Sequence, residues 1–393
     1  MTQAKTLKPG WRTVKFGDVV REVRKATKDP VADGIERVVG LDHLDRESLP
    51  LRRWDDLAEL HDGTSFTRTF KAGQVMFGKR RAYQRKVAVP DFDGICSGDI
   101  LVFEPSTSDL LLEFLPYVVQ SDGFFEHALG TSAGSLSPRT KWQELAKYEF
   151  VLPPLDEQKR CVQVLSAAAT VVECHSVAKS ELDSALQRFI VERFRHWTRT
   201  CVPVPITTLG ALQLGRQKAP KYETGVYSTP YVRVGNIGSL EVALGELEEM
   251  DFAPEDRVKY GLVQGDVLIT EGDIVSPLNV GRSAVFDGAE STVCFQNTLI
   301  RLRPSAGANP TFVMGLLEGA RLEGVFAAAA STTTVSHLGL KRLSALSLPV
   351  PEDAERDRFA HALQSHLALR EQIVRCTGTS RDLARRMAAE MLG

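Results

Sequence analysis

The sequence has 393 residues, of which 43% are hydrophobic and 25% are charged, and its 48 Lys and Arg nearly balance its 50 Asp and Glu. This composition is typical of a globular protein, and it excludes wholesale disorder and a uniformly basic nucleic-acid coat protein. At about 100–200 residues per domain, the length predicts two or three domains.

Features of a membrane, secreted or disulfide-stabilised protein are not evident in the sequence. Uninterrupted apolar runs fall well short of the ~20 residues that a membrane-spanning helix needs, and the N-terminus lacks the apolar segment of a signal peptide. The six cysteines are scattered without a Cys-x-x-Cys pair, which argues against a disulfide framework and a zinc ribbon. We therefore expect a cytoplasmic protein with no membrane contact and no metal site.

The chain repeats itself at long range. Lys71–Val75 recurs as Val263–Val267, and the turn Phe92–Gly94 recurs as Phe286–Gly288. Four further short segments recur in the same order, and the offset drifts only from about 192 to 199 residues. One such match would be chance, but six in order predict an internal duplication.

In chain order, each half predicts a globule followed by a long helix. Short apolar runs such as Ile100–Phe103 and Leu299–Leu302 predict strands, and the intervening Asp-Gly pairs supply turns. The predicted segments are an N-terminal tail over 1–10, globules over 11–153 and 201–351, and helices over 154–200 and 352–393.

The two helices are unusually long. Neither Pro nor Gly occurs between Leu155 and Trp197, and only Gly378 interrupts the stretch from Glu352 to Leu392. Each would be on the order of 60 Å long, and its apolar stripe needs a partner. We therefore predict that the two helices pair as an antiparallel coiled coil.

The predicted interface between the helices consists of apolar residues at helical spacing: Leu165, Val172, Leu182, Leu186, Phe189, Phe359, Leu363, Ile373 and Met387. Polar residues also lie on these stripes, and they would fix the register or face a further subunit: His175, Lys179, Arg370 and Thr377.

The predicted fold class is α+β, with mixed α/β globules, an antiparallel coiled coil and an internal pseudo-twofold duplication. Antiparallel helices relate the two globules by an approximate twofold axis. Duplex DNA has the same symmetry, which proteins more often match by forming a homodimer.

The residues from 64 to 90 form a basic stretch that contains no acidic residue. Its candidate DNA-binding residues are seven cations and an aromatic residue: Arg68, Lys71, Lys79, Arg80, Arg81, Tyr83, Arg85 and Lys86. Cationic side chains suit a phosphate backbone, and Arg forks can also address guanine edges. A solvated basic loop is the alternative interpretation.

The equivalent stretch of the second half is not basic. Its candidate DNA-binding residues are scattered cations and amides: Arg216, Lys218, Lys221, Arg233, Asn236, Asn279 and Arg282. This asymmetry weakens the case for DNA binding, although two domains that read different sequences would also differ in this way.

Catalytic motifs are not recognisable. Gly73–Arg80 resembles a P-loop but has Arg80 where the magnesium-binding Ser or Thr should follow the Lys. Leu152–Leu155 contains a Pro-Pro pair but lacks the polar and aromatic residues that would hold a flipped base for methylation. Nuclease, serine-hydrolase and zinc motifs are also not recognisable, so we expect no active site in this chain.

Three segments of the first half carry a family resemblance. Gly78–Val89, Phe92–Ile100 and Leu152–Arg160, which contains Pro-Pro-Leu-Asp-Glu-Gln, resemble the DNA specificity subunit of type I restriction–modification enzymes. More diverged copies resemble the same repeat in the second half: Gly265–Thr270, Leu338–Leu343 and Leu348–Pro351.

The resemblance implies a non-catalytic subunit that binds double-stranded DNA. Residues 11–153 and 201–351 would be target-recognition domains, each of which reads one half of a bipartite site, and the helices would set the gap. Two methyltransferase subunits and ATP-driven restriction (translocase) subunits would assemble on it. S-adenosylmethionine, ATP and Mg would be bound by those partners and not by this chain.

Two alternatives remain from the sequence. The chain could be a specificity-like protein of another modification or defence complex without the restriction motor. It could also be a coiled-coil scaffold with no DNA role, which the near-neutral charge and slightly acidic second half favour.

Overall fold

The computed structural model describes residues 7–60, 63–132, 138–273, 280–288, 293–332 and 336–392. The chain forms two compact units. Unit 1 comprises Met1–Cys174 and Cys376–Gly393, and unit 2 comprises His175–Arg375. Each long helix is therefore divided between the units, whereas the sequence analysis treated each helix as a separate segment.

The strands of unit 1 are short: β1 Arg12–Lys15, β2 Val20–Glu22, β3 Arg37–Val39, β4 Asp55–Asp56, β5 Arg68–Phe70, β6 Val75–Gly78, β7 Val87–Ala88, β8 Gly94–Cys96, β9 Ile100–Pro105 and β10 Glu149–Leu152. Its helices before residue 153 are α1 Phe16–Val19, α2 Leu115–Gln120, α3 Asp122–Gly130 and α4 Trp142–Leu145, with 3-10 turns at Leu41–His43, Leu57–Glu59 and Ala82–Gln84.

These strands form three sheets. An antiparallel sheet has the order β2-β9-β6-β7, a mixed sheet has the order β4-β3-β8-β5 with β3 and β8 parallel, and β1 pairs with β10. The first sheet is packed on both faces, so successive side chains of β9 point alternately into two different cores. Leu101 and Phe103 pack into the core with α2 and α3, whereas Ile100 and Val102 pack into the core with the second sheet.

Unit 2 repeats this construction. Its strands are β11 Pro203–Pro205, β12 Gly210–Leu214, β13 Ser228–Val232, β14 Glu248–Asp251, β15 Val267–Thr270, β16 Gly272–Asp273, β17 Ser283–Val285, β18 Cys294–Phe295, β19 Leu299–Pro304, β20 Ser331–Thr332, β21 Ser336–His337 and β22 Ser347–Pro349. Its shorter helices are α6 Pro254–Tyr260, α7 Pro310–Leu322, α8 Val325–Ala329 and α9 Leu340–Ser344, with 3-10 turns at Ile206–Thr208, Pro220–Tyr222 and Val234–Asn236.

The sheet topologies of the two units correspond, except that β5 of unit 1 and the sheet β16-β21-β20 of unit 2 have no counterpart among the described strands. The order β12-β19-β15-β17 is antiparallel throughout, as β2-β9-β6-β7 is in unit 1. Strand β13 pairs antiparallel with β14 and parallel with β18, as β3 pairs with β4 and β8. Strands β11 and β22 form a pair like β1 and β10. This correspondence supports the predicted duplication.

A side-chain interaction is also repeated. In unit 1 the Gln74 side chain accepts a hydrogen bond from the Lys71 N–H (2.8 Å) and donates to Glu104 (2.6 Å). In unit 2 Asp266 accepts from the Val263 N–H (2.9 Å) and from Arg303 (2.7 Å). Both side chains close the turn before the central strand, so the duplication extends to the turn chemistry although the charges have changed.

Helix α5 extends over Leu155–Thr200 and α10 over Asp353–Leu392, as the sequence predicted, and Gly378 does not break α10. Within unit 2 the two helices run antiparallel. Trp197 donates to Glu355 (2.8 Å). The Phe189 ring stacks on Phe359 with centroids 5.3 Å apart.

Farther along the same pair, Arg370 of α10 donates to Asp183 of α5 (2.7 Å), and Lys179 donates to the other oxygen of that carboxylate (2.6 Å). Arg370 therefore joins the two helices and fixes their register, whereas Lys179 binds the same carboxylate from within α5. Within unit 1 the far end of α10 meets the start of α5, because Met391 packs against the core that contains Cys161.

The predicted helix-interface residues divide into two groups. Leu165, Leu186, Phe359 and Leu363 are buried. The others are partly buried: Val172, Leu182, Phe189, Ile373 and Met387.

One segment of α5 is more apolar than its short uninterrupted apolar runs indicate. An 18-residue window within Leu155–Thr200 reaches a mean hydropathy of 1.4 and is only 11% buried, so by length and composition it is apolar enough to cross a membrane. The sequence analysis missed it because small and hydroxyl-bearing residues interrupt its large apolar ones. An apolar, uncovered helix segment also suits a docking site for another protein.

Candidate nucleic-acid interface

Most cations of the basic stretch have acidic or carbonyl partners from elsewhere in unit 1. Arg68 pairs with Glu22 (2.9 Å), and Lys71 pairs with Asp93 (3.1 Å). The Lys86 ammonium donates to the Leu41 carbonyl at 2.6 Å. Counting acidic residues within the sequence window therefore overstated the surplus of positive charge, because the sheets bring acids from distant positions.

Arg85 is an anchor of the fold. Its guanidinium pairs with Glu47 (3.3 Å) and Asp122 (2.7 Å), donates to the Gln120 carbonyl (3.0 Å) and lies over the Phe125 ring (4.6 Å). With these contacts in place, its charge is committed to holding the neighbouring turn, and we do not count it among the candidate DNA contacts.

Three cations lie around Asp99 at the end of β6, and we call this group the cationic corner: Lys79, Arg80 and Arg139. The Lys79 N–H donates to the Asp99 carbonyl (3.0 Å), and Arg80 forms a β-bridge with Arg139. The Asp99 carboxylate binds the Arg139 guanidinium through both oxygens (2.8 and 3.1 Å) and lies 3.9 Å from Arg80. Three cations therefore surround one carboxylate, which leaves a net positive charge at the surface.

The electrostatics of this corner are reflected in the titration of Asp99. The pKa of Asp99 is lowered, chiefly by its hydrogen bonds from Arg139 and further by the charges of Arg139, Lys79 and Arg80, against the opposing effect of burial. The carboxylate is therefore firmly ionised at neutral pH and orders the cations around it.

A strained turn projects beside the corner. Arg81 and Arg85 have φ of 55° and 51°, in the left-handed region that non-glycine residues rarely adopt, and they flank the 3-10 turn Ala82–Gln84. Tyr83, in that turn, is 53% exposed. Such strain costs on the order of 1–3 kcal/mol per residue and clusters at functional sites. The turn therefore holds an aromatic side chain outward next to Lys79 and Arg80.

The corresponding corner of unit 2 has a different chemistry. There Glu271 follows β15, its N–H donates to the Thr298 carbonyl (2.9 Å), and Gly272 pairs with His337. Burial raises the pKa of Glu271, and the charge of His337 opposes that rise. One scaffold position thus carries a cation in unit 1 and a partly buried acid in unit 2.

The predicted cations of unit 2 are largely committed to ion pairs. Arg216 binds Asp256 (2.6 Å) and lies over the Tyr222 ring (3.7 Å). Glu248 binds both Lys218 (3.2 Å) and Arg233 (3.1 Å).

The remaining predicted residues of unit 2 lie in different settings. The Lys221 ammonium lies 4.8 Å from the Tyr222 ring, and Arg282 is partly buried beside β15. The buried Asn236 accepts from the Arg233 N–H and donates to two carbonyls, so its amide serves the turn and we do not count it as a DNA contact. Asn279 lies outside the described residues.

Sequence reasoning missed Arg139 and Glu47, the partners that shape the corner and the turn in unit 1. Arg139 is some 50 residues from the basic stretch, and only the bridge to Arg80 brings it near. Glu47 has a φ of 54° and follows two other acids, Asp42 and Asp45. Nothing in the sequence distinguishes it from them as the partner of Arg85.

The described part of the chain contains no cluster of three or more His, Cys, Asp or Glu side chains able to hold a metal ion. Burial raises the pKa of Cys96 and of Cys294 to about 12, so neither thiol forms a thiolate at neutral pH.

The opposite pKa shifts of the two corners predict opposite effects of neutralising substitutions. The pKa of Asp99 is lowered on folding, so its ionised form stabilises the fold above its unfolded pKa, and this stabilisation is lost as the pH falls through the folded pKa. We expect Asp99→Asn to lower the free energy of unfolding at pH 7 by up to about 1 kcal/mol, and therefore to lower the Tm, and we expect this effect to diminish as the pH falls through the folded pKa of Asp99.

Glu271→Gln is the matched contrast. The pKa of Glu271 is raised, so the ionised carboxylate destabilises the fold at neutral pH, and the variant should melt above wild type at pH 7 and lose this advantage towards pH 4. Thermal unfolding at several pH values measures both differences. Shifts of the same sign would contradict the charge assignment of the corners.

Comparison with known proteins shows similarity in sequence over part of the chain and similarity in fold over nearly all of it. Residues 42–182 match the family model described as "Type I restriction modification DNA specificity domain". The chain is 28% identical over 141 residues to the type I restriction enzyme EcoDI specificity subunit of Escherichia coli, a match that covers 35% of this chain and 31% of that protein. The chain thus spans about a third of the length of this curated relative.

Solved structures match over a longer range. A structure described as "Structural basis underlying complex assembly and conformational transition of the type I R-M system" aligns with a TM-score of 0.61 and 20% identity, covering 99% of both chains. The type I restriction–modification system S subunit from M. genitalium aligns with a TM-score of 0.52 and 10% identity, covering 100% of this chain and 98% of that chain. Residues 42–182 are thus similar to the type I restriction modification DNA specificity domain, and the chain has the fold of the solved S subunit from M. genitalium.

Proposed function

We propose that this chain is the DNA sequence-recognition subunit of a type I restriction–modification complex and that each unit reads one half of a bipartite site in double-stranded DNA. The observation that carries the proposal is that the two units have similar sheet topologies but carry side chains of different charge at an equivalent surface position. Repeated topology supplies two similar readers, and the change from Lys79 to Glu271 at equivalent positions lets them read different bases.

In unit 1 the reading surface would be centred on the cationic corner and the Tyr83 turn. Lys79 and Arg80 suit phosphate oxygens, and an Arg fork also fits the guanine edge in the major groove. Tyr83 is held by a strained turn, so little conformational freedom is lost when it contacts DNA. In unit 2 the acid Glu271 would accept a hydrogen bond from an amino group, such as that of cytosine.

The chain itself would be non-catalytic. Two methyltransferase subunits would bring S-adenosylmethionine, and restriction subunits would bring ATP and Mg. The helix pair would set the gap between the half-sites and dock the methyltransferase subunits.

Both units leave apolar helix residues uncovered, which supports the docking role. Val171 and Leu383 are about half exposed in unit 1, and Val177, Leu369 and Val374 are about half exposed in unit 2. These residues lie on α5 and α10 in each case, so each unit offers an apolar helical surface to a partner. One surface per unit fits two copies of the same partner subunit.

The primary test maps the bases that the complex methylates. The full chain is co-expressed with its methyltransferase subunit, and modified bases are located across the host genome. We expect a split motif of two specified parts separated by a fixed, unspecified gap. A continuous motif, or modification that does not depend on this chain, would refute the proposed function.

The cationic corner predicts a change in salt dependence. Lys79→Gln with Arg80→Gln in the assembled complex should weaken DNA binding and reduce the slope of log K against log salt by about 0.9 for each phosphate that the variant no longer neutralises. Fluorescence anisotropy at several salt concentrations measures the slope. Lys15→Gln in β1 is the matched control, and an unchanged slope in the double variant would place the DNA elsewhere.

The proposed docking surface of unit 2 predicts that substitutions there weaken binding of the methyltransferase subunit without unfolding this chain. Val177→Asp with Val374→Asp puts charges on exposed apolar positions, so folding should be preserved while co-purification of the methyltransferase subunit falls at least about tenfold. Val258→Asp, at an 84% exposed position on α6, is the control. Retained assembly in the double variant would show that the partner docks on another surface.

A further inference from the structure

Each unit contains a turn that recurs at the same place in the repeat and ends in strained backbone. In unit 1 the Gly40 N–H donates to Nδ1 of His43 (3.0 Å), and Glu47, four residues later, has a φ of 54°. In unit 2 the Arg233 N–H donates to Oδ1 of Asn236 (3.1 Å), and Leu240, again four residues later, has a φ of 63°.

These four-residue spacings identify the two turns as equivalent. Non-glycine residues with φ in this range are uncommon, and the described residues contain four of them: Glu47, Arg81, Arg85 and Leu240. Two of the four occupy the same repeat position, and the other two flank the Tyr83 turn. The strain is therefore a repeated feature of the architecture and not a local accident.

Both turns carry a carboxylate that binds an arginine of α10. In unit 1, Glu47 pairs with Arg385 of α10. In unit 2, Glu241, the residue after the strained Leu240, pairs with Arg370 of α10. We call the pair Glu47–Arg385 the first latch and the pair Glu241–Arg370 the second latch.

The first latch continues towards the candidate DNA surface. Glu47 also pairs with Arg85, and its N–H donates to the Arg85 carbonyl (3.2 Å), so one residue connects α10 with the strained turn that presents Tyr83. Arg52, on the same loop, pairs with Glu173 of α5. The loop that contains Glu47 and Arg52 thus forms ion pairs with both long helices within unit 1.

The second latch connects the equivalent turn of unit 2 with α10 and α5. Arg370 is only 12% exposed and binds Asp183 of α5 as well as Glu241 of the turn. Its burial requires these partners, since a buried guanidinium without a carboxylate is costly. Thus a single buried cation ties the turn to both helices.

We infer that Glu47 and Glu241 are positioning residues whose latches set the orientation of each DNA-reading surface on the helix pair of its own unit. The inference rests on the proposed function and extends it. Because the latches are ionic and confined to separate units, each one governs the reading of a single half-site.

Hydrogen–deuterium exchange of the full chain without DNA tests the latch itself. In Glu47→Gln we expect the segment 82–87 to exchange about threefold to fivefold faster, as loss of a partly exposed ion pair would cause, with unit 2 unchanged. Glu241→Gln should instead loosen residues 237–242. Arg386→Gln, next to Arg385 on α10, is the control, and Arg385→Lys should retain most of the protection.

Half-site discrimination in the assembled complex tests the positioning role. The methylation rate is compared for the intact site and for sites with one base changed in either half. Glu47→Gln should reduce discrimination about threefold to tenfold at one half-site only, and Glu241→Gln should do so at the other half-site only. A purely structural defect would instead lower the amount of complex and affect both halves.

The outcomes separate the two proposals. A wild-type complex that does not recognise a split site refutes the proposed function, while the exchange experiment still reports on the latches. A wild-type complex that recognises the split site, combined with latch variants that leave discrimination unchanged or weaken both halves equally, overturns the positioning role. Unchanged exchange in both variants overturns the latches themselves.

Discussion

The pairing of the two long helices is the constraint on which the rest of the structure depends. Neither helix can cover its apolar stripe alone, so each unit is built around the stretch of α5 and α10 that it contains. In unit 2, Leu186 and Phe359 from opposite helices share a core with the sheet strands β15 and β19. The ion pair of Asp183 with Arg370 fixes the register, because sliding the helices by one turn would leave Arg370 buried without its carboxylate.

Around this constraint the duplicated scaffold preserves shape and varies charge. The turn closed by Gln74 in unit 1 is closed by Asp266 in unit 2, and the partner changes from Glu104 to Arg303. The backbone geometry survives because both side chains accept the same N–H hydrogen bond. Lys79 and Glu271 occupy equivalent positions in the two units. Their backbone N–H groups make equivalent hydrogen bonds, while the charge of the side chain changes. Surface chemistry at the ends of the strands can therefore change while both the sheet order and the helix pairing persist.

Sequence reasoning succeeded where the signal was periodic or repeated. The long runs without Pro or Gly located α5 and α10 nearly to the residue, and the apolar runs Ile100–Phe103 and Leu299–Leu302 located the central strands β9 and β19. The antiparallel pairing followed from the need to bury two long apolar stripes. These features depend on local spacing and on hydrophobic burial, and both can be read from a single chain.

The candidate site was predicted less well because charge compensation is a long-range property. Arg68 has no acid within the basic stretch, yet Glu22 lies 2.9 Å from it across the fold. Arg139 contributes to the corner only through strand pairing. Asn236 was predicted to contact bases through its amide. In the structure that amide instead hydrogen-bonds to one backbone N–H and two backbone carbonyls around the 3-10 turn. Which cations remain available to contact DNA depends on the register of the sheets. That register cannot be read from local sequence patterns.

The distribution of ionic contacts explains how the surface chemistry of one unit can differ from that of the other. Both latches lie between a turn and the helices of one unit, and both corners lie at a strand end away from the hydrogen bonds that close the turns. A substitution at Glu271 alters a partly buried carboxyl in unit 2 and leaves the Asp99 carboxylate of unit 1 unaffected, because the two groups share no partner. Energetic coupling falls off when residues share no partner. Surface charge can therefore diverge in one unit while the helix contacts within that unit persist.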